Sequence, residues 1–414
     1  MQRIKRFFSD GTGTSAFVVF LIMVCAAAIG NGFSDSIYAN FYKDVYDISA
    51  TQRAFIEFPR ELPGLLCAFF IAALSFLGDF RLSLIAQVLS CIGLTVLGLT
   101  TPSFNMMLVF LFINSLGMHL FMPLQDSMTM AMSPPGQLGH RLGRVNSMKT
   151  AVTFFCGIVV FIGFRLKWFT FNADVKPVFL IGVGGFVLAI LAGILLVRMT
   201  KGVKTEKKKF KLIFRWKYRY YYTLVVLYGV QKQITTVYGS WVVIDLLLKG
   251  ADVMSLLIIA SSFVGIFFIN FFGKLLDKKG IKFTMYLDAL SFIVVYVLYG
   301  LVVWGITQHV LPEAGVSVII VYVLFVLDRM SSQMGFVRSI YLRSIAENAE
   351  EVTQVLSTGT SLDHCISIIA AQICGLVWTY MGPAWVFFFA AALSLGNLFV
   401  AIRIKEPAKA EAAE

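Results

Sequence analysis

The sequence predicts an all-α membrane protein, and three observations lead to that fold class. Of the 414 residues, 58% are hydrophobic and 14% are charged, whereas soluble domains are about half apolar and about a quarter charged. The mean hydropathy is +0.81. Long apolar runs recur from residue 16 to residue 402. Backbone amides cannot stay unpaired in lipid, so we expect these runs to be helices.

Twelve segments have the length of about 20 residues that crosses about 30 Å of hydrocarbon as a helix. The predicted spans cover roughly residues 16–42, 51–77, 82–100, 104–131, 145–164, 177–199, 218–247, 253–273, 282–304, 316–345, 353–380 and 383–403. Pro59 and Pro63 interrupt the second of them. All are too long and too uniformly apolar to be the strands of a membrane barrel.

The distribution of lysine and arginine predicts the orientation in the membrane. With a cytoplasmic N-terminus, the inside segments hold about 25 basic residues and the outside segments about seven, as the positive-inside rule requires. We therefore expect a multi-pass protein of the cell membrane with both termini cytoplasmic. The net charge of +12 is then explained by topology and anionic lipid, and no nucleic-acid partner is expected.

A basic stretch divides the chain into halves of six predicted spans each. It reads KGVKTEKKKFKLIFRWKYR, from residue 201 to residue 219. The predicted organisation is an N-terminal six-helix bundle over residues 1–200, a basic cytoplasmic linker over 201–217, a C-terminal six-helix bundle over 218–405 and a cytoplasmic tail over 406–414. We expect the protein to be a monomer.

Two short loops at corresponding places in the halves share a pattern. The loop after the second span reads SFLGDFRLS, and the loop after the eighth reads GKLLDKKGIK. Both place an aspartate, Asp79 or Asp277, after an apolar span and before basic residues. Here the chain resembles the major facilitator superfamily, whose signature at these loops is glycine, three residues, aspartate, a basic residue, any residue and glycine. Gly273, Lys278 and Gly280 complete the pattern in the second copy.

The resemblance implies a gating role for these loops. Glycines allow a tight turn, and the aspartate can accept backbone amides at a helix N-terminus and pair with a basic residue of the next loop. Asp277 with Lys278, and Asp79 with Arg81, would then close the cytoplasmic side in one state of the transport cycle. The alternative is that these are simple charged loops.

Polar residues fall in the middle of several spans, where a charge costs about 2.5–3.5 kcal/mol on insertion scales. In this family spans one, four, seven and ten line a central cavity, and alternating access moves the substrate. The candidates for substrate binding are Asn31, Asp35, His119, Gln231, Lys232, Gln233, Asp328, Arg329 and Gln333. Asp328, Asp363 and His364 are candidates for proton coupling. Arg60 and Glu61, in the outer part of span two, are candidates for an outer gate.

Asp328 and Arg329 are adjacent, so they lie about 100° apart on a helix and cannot form a good pair. Their predicted partners come from other spans: Lys232 or His364 for Asp328, and Asp35 or Asp363 for Arg329. Ser332 and Gln333, one turn later, extend them into two polar stripes. Such charges either bind a solute or form a structural ion-pair network.

The basic residues Lys232 and Arg329 favour a small organic anion or a carboxylate-bearing amphiphile as substrate, because arginine binds carboxylates bidentately. Proton-coupled secondary transport is the leading hypothesis. One alternative is a drug exporter for amphiphilic cations, although the arginine that such exporters carry before a glycine of span four is missing from FINSLGMHL. The other alternative is a transporter-like membrane sensor.

The sequence has no feature typical of a membrane enzyme or an ATP-driven pump. No phosphate-binding loop is present, and the six cysteines lie singly within spans without metal-ligand spacing. We therefore expect no catalytic residues, no metal and no cofactor.

Overall fold

The structure is a computed structural model that describes residues 12–134, 137–201 and 213–404. The basic leader with Arg3, Lys5 and Arg6, most of the predicted linker and the predicted tail lie outside the described residues. The described residues form helices joined by short turns and contain no β-strand. The all-α prediction is therefore confirmed.

The helices are here numbered α1 to α12 in chain order. The first six are α1 (Thr12–Tyr46), α2 (Ala50–Ala73), α3 (Asp79–Leu99), α4 (Phe104–Ala131), α5 (Leu138–Arg165) and α6 (Pro177–Met199). The next six are α7 (Arg219–Gln233), α8 (Ala251–Thr307), α9 (Val316–Gln333), α10 (Val337–Ile345), α11 (Ala349–Tyr380) and α12 (Pro383–Arg403). Two π-helical segments, Ile234–Tyr238 and Val242–Leu246, continue α7 on either side of Gly239–Trp241.

Nine helices in the described part of the chain are long and apolar enough to cross a membrane. Two predicted spans, α2 and the segment that begins with α7, are not among the nine. Two others, 253–273 and 282–304, are joined in the single 57-residue helix α8. That helix is interrupted at Gly280, whose φ of 84° and ψ of 173° are not helical.

Glycine is the residue that adopts such a conformation without a steric penalty. The eighth span therefore continues as helix through KLLDKK, and the chain turns only at Gly280. A second positive φ, 76° at Gly78, precedes α3. Both loops of the shared pattern thus use a glycine for their turn, although the glycine of the first copy stands directly before Asp79.

The chain divides into two compact units. The first takes the described residues of Met1–Asp47, Phe58–Phe210 and Ala251–Leu256, and the second those of Ile48–Glu57, Lys211–Gly250 and Leu257–Glu414. Phe20, Leu120 and Leu124 are among the core residues of the first unit, and Tyr218, Phe272 and Leu342 are among those of the second. Each unit is therefore a helical bundle with its own apolar core.

Candidate functional site

Asp328 lies on α9 and is buried in the second unit. The Thr235 hydroxyl donates to its Oδ1 at 2.7 Å and also contacts the Ser332 hydroxyl at 2.9 Å. Its Oδ2 has no hydrogen-bond partner in the described part of the chain. Thr235 belongs to the first π-helical segment, a type of distortion that is frequent at functional sites. The Thr235 hydroxyl therefore contacts both Asp328 and Ser332, which form one of the polar stripes predicted from the sequence.

Arg329 points elsewhere, as its position one residue further along the helix requires. Its guanidinium carbon lies 5.1 Å from the centroid of the Phe325 ring. The side chain is half-buried, and its Nε is buried without a hydrogen-bond partner among the described residues. No described carboxylate of its unit forms an ion pair with it. Arg329 is therefore a cation with an aromatic neighbour, and the charge of the adjacent Asp328 acts on it without forming an ion pair.

The predicted partners within this unit were wrong. Lys232 does not pair with Asp328; its Nζ lies 3.0 Å from Asp363 Oδ2. Asp363 therefore forms its ion pair with Lys232 and not with Arg329. Asp328 instead accepts a neutral hydroxyl, because the π-helical segment after α7 brings Thr235 to it. His364 is half-buried next to Asp363 in the chain, and the structure shows no bond from it to Asp328.

The three glutamines among the candidates have different surroundings. The Gln231 amide is buried and donates to the Ser394 hydroxyl at 2.9 Å. Gln233 is fully buried, and neither of its amide atoms has a partner in the described ranges. Gln333 packs against Gly265 of α8, where a β-carbon would approach its Nε2 to 2.5 Å. Gln231 and Gln233 thus lie in the bundle interior, whereas Gln333 is half-buried, as are Arg329 and Lys232.

In the first unit, Asp35 is an exposed carboxylate in the second half of α1. The positive charges of Arg60 on α2 and Lys149 on α5 act on it. Arg60 was predicted as a gating residue, and Lys149 was a weaker candidate that the sequence also allowed near the inner surface. Asn31, one turn before Asp35, is half-buried. The first unit therefore brings one accessible acid near two bases.

His119 has a mainly structural environment. Its Nδ1 lies 2.9 Å from the carbonyl oxygen of Ser115 and 3.1 Å from the Ser115 hydroxyl. That hydroxyl donates to the carbonyl oxygen of Arg60 at 2.6 Å, and the Cys67 thiol donates to the carbonyl oxygen of His119. Glu61, the next residue after Arg60, is buried. These contacts hold α2 against α4.

The gating candidates divide into a buried and an exposed group. Asp79 is buried in the first turn of α3, and the Ser127 hydroxyl of α4 donates to its carboxylate. Arg81 is exposed. Asp277 and Lys278 are also exposed, and Gly273 lies within α8 with open space around it. Asp79 thus lies at the N-terminus of its own helix and is in contact with α4.

Two further groups of charged residues, one buried and one half-buried, were missed from the sequence. Arg53 and Glu57, one turn apart on α2, form a buried ion pair at 2.6 Å. The i, i+4 spacing of opposite charges was a usable signal for it. The Arg338 guanidinium stacks on Tyr228 at 3.4 Å from the ring centroid. Nothing in the sequence around Arg338 distinguishes it from the basic residues of a cytoplasmic loop.

Comparison with known proteins provides the family. A family model described as Major Facilitator Superfamily matches residues 19–371. No curated protein sequence matches the chain.

Solved structures match over nearly the whole chain. The nucleoside transporter NupG superposes with a TM-score of 0.69 at 12% identity, covering 94% of this chain and 100% of that one. A POT family transporter in complex with a thioalcohol-conjugated peptide has a TM-score of 0.73 at 12% identity, covering 93% and 95%. A D-xylose–proton symporter has a TM-score of 0.65 at 15% identity, covering 95% and 98%. The chain belongs to the major facilitator superfamily of membrane transporters.

Proposed function

We propose that the protein is a proton-coupled secondary transporter of a small organic anion or carboxylate-bearing amphiphile, working by alternating access. The observation that carries the proposal is Arg329. A guanidinium near the middle of a predicted membrane span is costly unless it is solvated or paired. In the described part of its unit, no carboxylate forms an ion pair with Arg329. An anionic substrate would supply the missing partner.

The surroundings of Arg329 suit a carboxylate attached to an apolar body. The planar guanidinium offers a fork of donors that matches a carboxylate bidentately. The Phe325 ring beside it provides an apolar wall, and aromatic side chains are usual in the lining of ligand sites. The family and the solved relatives support secondary transport in general, and the substrate class rests on these two side chains.

The ion pair between Lys232 and Asp363 supports the proton-coupling part of the proposal. The two atoms are 3.0 Å apart, and each side chain is about one-fifth exposed. Protonation of Asp363 would remove the negative charge beside Lys232 and make this part of the unit more positive for an anion. Proton binding and anion binding would then favour each other, which is the requirement for coupled transport in one direction.

The proposed topology has twelve spans with both termini cytoplasmic, in the cell membrane. A 57-residue helix such as α8 is about 86 Å long at 1.5 Å per residue, nearly three times the hydrocarbon thickness. Its interruption at Gly280 supports a division into two spans. The prolines and charges of α2 and the π-helical segments after α7 explain why these two spans do not resemble uniform apolar helices.

The substrate proposal is tested by Arg329→Gln in purified protein. A thermal-shift screen of organic anions and amphiphilic cations should identify a stabilising anion for the unchanged protein. Arg329→Gln should weaken its binding at least about tenfold, because a charge-assisted bidentate contact contributes roughly 1.5–3 kcal/mol. Counterflow of the labelled anion in proteoliposomes should fall in the same variant.

Arg343→Gln is the matched control, because Arg343 is an exposed arginine of the following helix α10. It should bind and exchange the anion normally. Full counterflow by Arg329→Gln with reduced thermal stability would assign Arg329 to a structural network. Stabilisation by amphiphilic cations alone would favour the drug-exporter alternative.

The proton-coupling proposal is tested by the pH dependence of counterflow and uptake. Asp363→Asn and His364→Gln should flatten the pH profile of uptake while exchange at a fixed pH continues. His309→Gln is the control, since His309 lies in an exposed turn after α8. An unchanged pH profile in both variants would remove Asp363 and His364 from the coupling mechanism.

A further inference from the structure

A second buried polar cluster lies in the interior of the second unit, on helices that do not carry Arg329. It consists of Gln231 of α7, Asp288 of α8 and Asn397 of α12, all nine-tenths or more buried. Asn397 Nδ2 is 3.5 Å from Asp288 Oδ2 and 3.4 Å from Gln231 Oε1. Three helices thus direct two amides and one carboxylate to a single point.

The cluster is not satisfied by its own hydrogen bonds. Asp288 Oδ1 and Asn397 Oδ1 are buried and have no partner among the described residues. An unpartnered buried polar group costs about 1–3 kcal/mol, and a charged one costs more. The positive charge of Arg338 acts on Asp288, but its guanidinium is stacked on Tyr228 and forms no ion pair with the carboxylate. The carboxylate therefore has no cation in direct contact with it among the described residues.

The distances within the cluster match those between ligands of a small cation. Separations of 3.4–3.5 Å are long for an amide hydrogen bond, which is normally 2.7–3.2 Å. Six oxygens at about 2.4 Å from a calcium-sized ion are about 3.4 Å from their neighbours in an octahedron. The oxygen and nitrogen of an asparagine amide exchange places by a simple flip. A flipped Asn397 amide places an oxygen 3.4 Å from Gln231 Oε1 and 3.5 Å from Asp288 Oδ2.

Charge and size select the ion. The cluster contains one carboxylate, so a monovalent cation leaves it neutral and a divalent cation leaves an uncompensated positive charge in the bundle interior. Sodium has about the ionic radius of calcium and prefers oxygen ligands of this type. The Ser394 hydroxyl accepts from Gln231 Nε2 at 2.9 Å, which orients Gln231 Oε1 toward the cluster in the manner of an outer-shell partner.

We propose that Asp288, Asn397 and Gln231 form a sodium-binding site in the second unit. The site is separate from Arg329 and does not depend on the nature of the transported solute. Sodium binding there would be separate from the proton binding proposed for Asp363 and His364 of α11.

The experiment is a thermal-unfolding titration of the purified full chain with NaCl, at constant ionic strength maintained with choline chloride. The midpoint should rise with sodium and increase by about 2 °C for each tenfold step above the dissociation constant. Potassium should give a much smaller rise, because the ligand spacing is short for it. Equilibrium binding of radioactive sodium should saturate at about one ion per chain.

Asp288→Asn keeps the shape of the side chain and removes its charge. The variant should unfold at an equal or higher temperature than the unchanged protein without sodium, and it should lose the sodium response. Asn397→Leu is a second variant that should bind less radioactive sodium while still folding. Asp252→Asn, on the same helix in a partly exposed ion pair with Arg165, should respond to sodium normally.

Two results would overturn the proposal. An equal sodium response in Asp288→Asn would show a general salt effect. A midpoint that changes with pH and not with sodium would show that a proton neutralises Asp288 instead.

Discussion

At the scale of single residues, adjacent charges on one helix have separate environments. Asp328 meets the hydroxyls of Thr235 and Ser332, and Arg329 meets the Phe325 ring. The 100° step between neighbours explains why they cannot share a partner. One side chain is therefore built into the bundle, and the other has donors available for a solute.

The ion pair between Lys232 and Asp363 gives a residue-scale prediction for stability. Lys232→Gln and Asp363→Asn should each lower the free energy of unfolding by about 2 kcal/mol, because the remaining charge is left mostly buried without its partner. The double variant should lose less than the sum of the two. Thermal midpoints of the four proteins in a double-mutant cycle measure this coupling. Additive losses would show that the two side chains contribute independently.

At the scale of helices, glycines set how closely α3 and α4 approach. A β-carbon at Gly117 would lie 2.3 Å from the carbonyl oxygen of Ala86 and 2.6 Å from the amide nitrogen of Ser90. At Gly93 it would lie 2.5 Å from the carbonyl oxygen of Phe110. Close approach through small residues is a common way for helices to associate in membranes. Asn114 adds a hydrogen bond from its Nδ2 to the carbonyl oxygen of Ser90.

Gly117→Ala should therefore destabilise the first unit. The new methyl group meets backbone atoms, which cannot move aside without separating the helices, so we expect a loss of about 2 kcal/mol or more. Gly143→Ala is the control, since nothing lies within 4 Å of a β-carbon there. Within α5 this change should be neutral or stabilising by up to about 1 kcal/mol. Thermal unfolding of both variants tests the difference, and equal midpoints would contradict the close packing.

A capped helix start at α11 connects this helix to the chain before α7. Asn348 Oδ1 accepts from the Glu351 amide at 2.9 Å, and Glu351 Oε2 accepts from the Glu347 amide at 3.0 Å. Arg215 Nη1 donates to Glu351 Oε1 at 2.6 Å. The reciprocal bonds resemble a capping box. The Glu351 side chain thus contacts both the start of α11 and the end of the basic linker.

The pH dependence of stability should report this contact. The Tyr218 hydroxyl and the Glu347 amide lower the pKa of Glu351 from its ordinary value of 4.5. A carboxyl whose pKa is lower in the folded protein stabilises it above the unfolded pKa and loses that contribution as the pH falls through the folded value. Glu351→Gln should therefore reduce the thermal midpoint at pH 7, and its difference from the unchanged protein should shrink below pH 4.5. A pH-independent difference would exclude this linkage.

At the scale of the whole molecule, the number of spans and their orientation are open to a direct test. The predicted topology places Lys278 on the cytoplasmic side and Glu313 outside. In a background with the six free cysteines replaced by alanine, a membrane-impermeant maleimide should label Glu313→Cys in intact cells. Lys278→Cys should react only after permeabilisation. Labelling of both positions in intact cells would contradict the twelve-span topology.

Much of the helical fold could be predicted from the sequence, because helix formation in lipid depends on local composition. The predicted limits 104–131, 177–199 and 383–403 coincide with α4, α6 and α12. The limits of α8 could not be predicted from hydropathy, since its charged KLLDKK segment remains helical up to Gly280. The π-helical turns after α7 had no sequence signal either, because they arise from packing.

The sequence by itself determined the membrane class, most of the helices, the turn at Gly280 and the polar residues that interrupt the apolar spans. These properties depend on short windows of chain, where apolar length and backbone conformation are decisive. Only the tertiary structure decided that Lys232 forms an ion pair with Asp363 and that the Thr235 hydroxyl donates to Asp328. The same holds for the contact between the Asn397 amide and the Asp288 carboxylate. Such pairings join residues about 90 to 130 positions apart, and the packing of whole helices selects them.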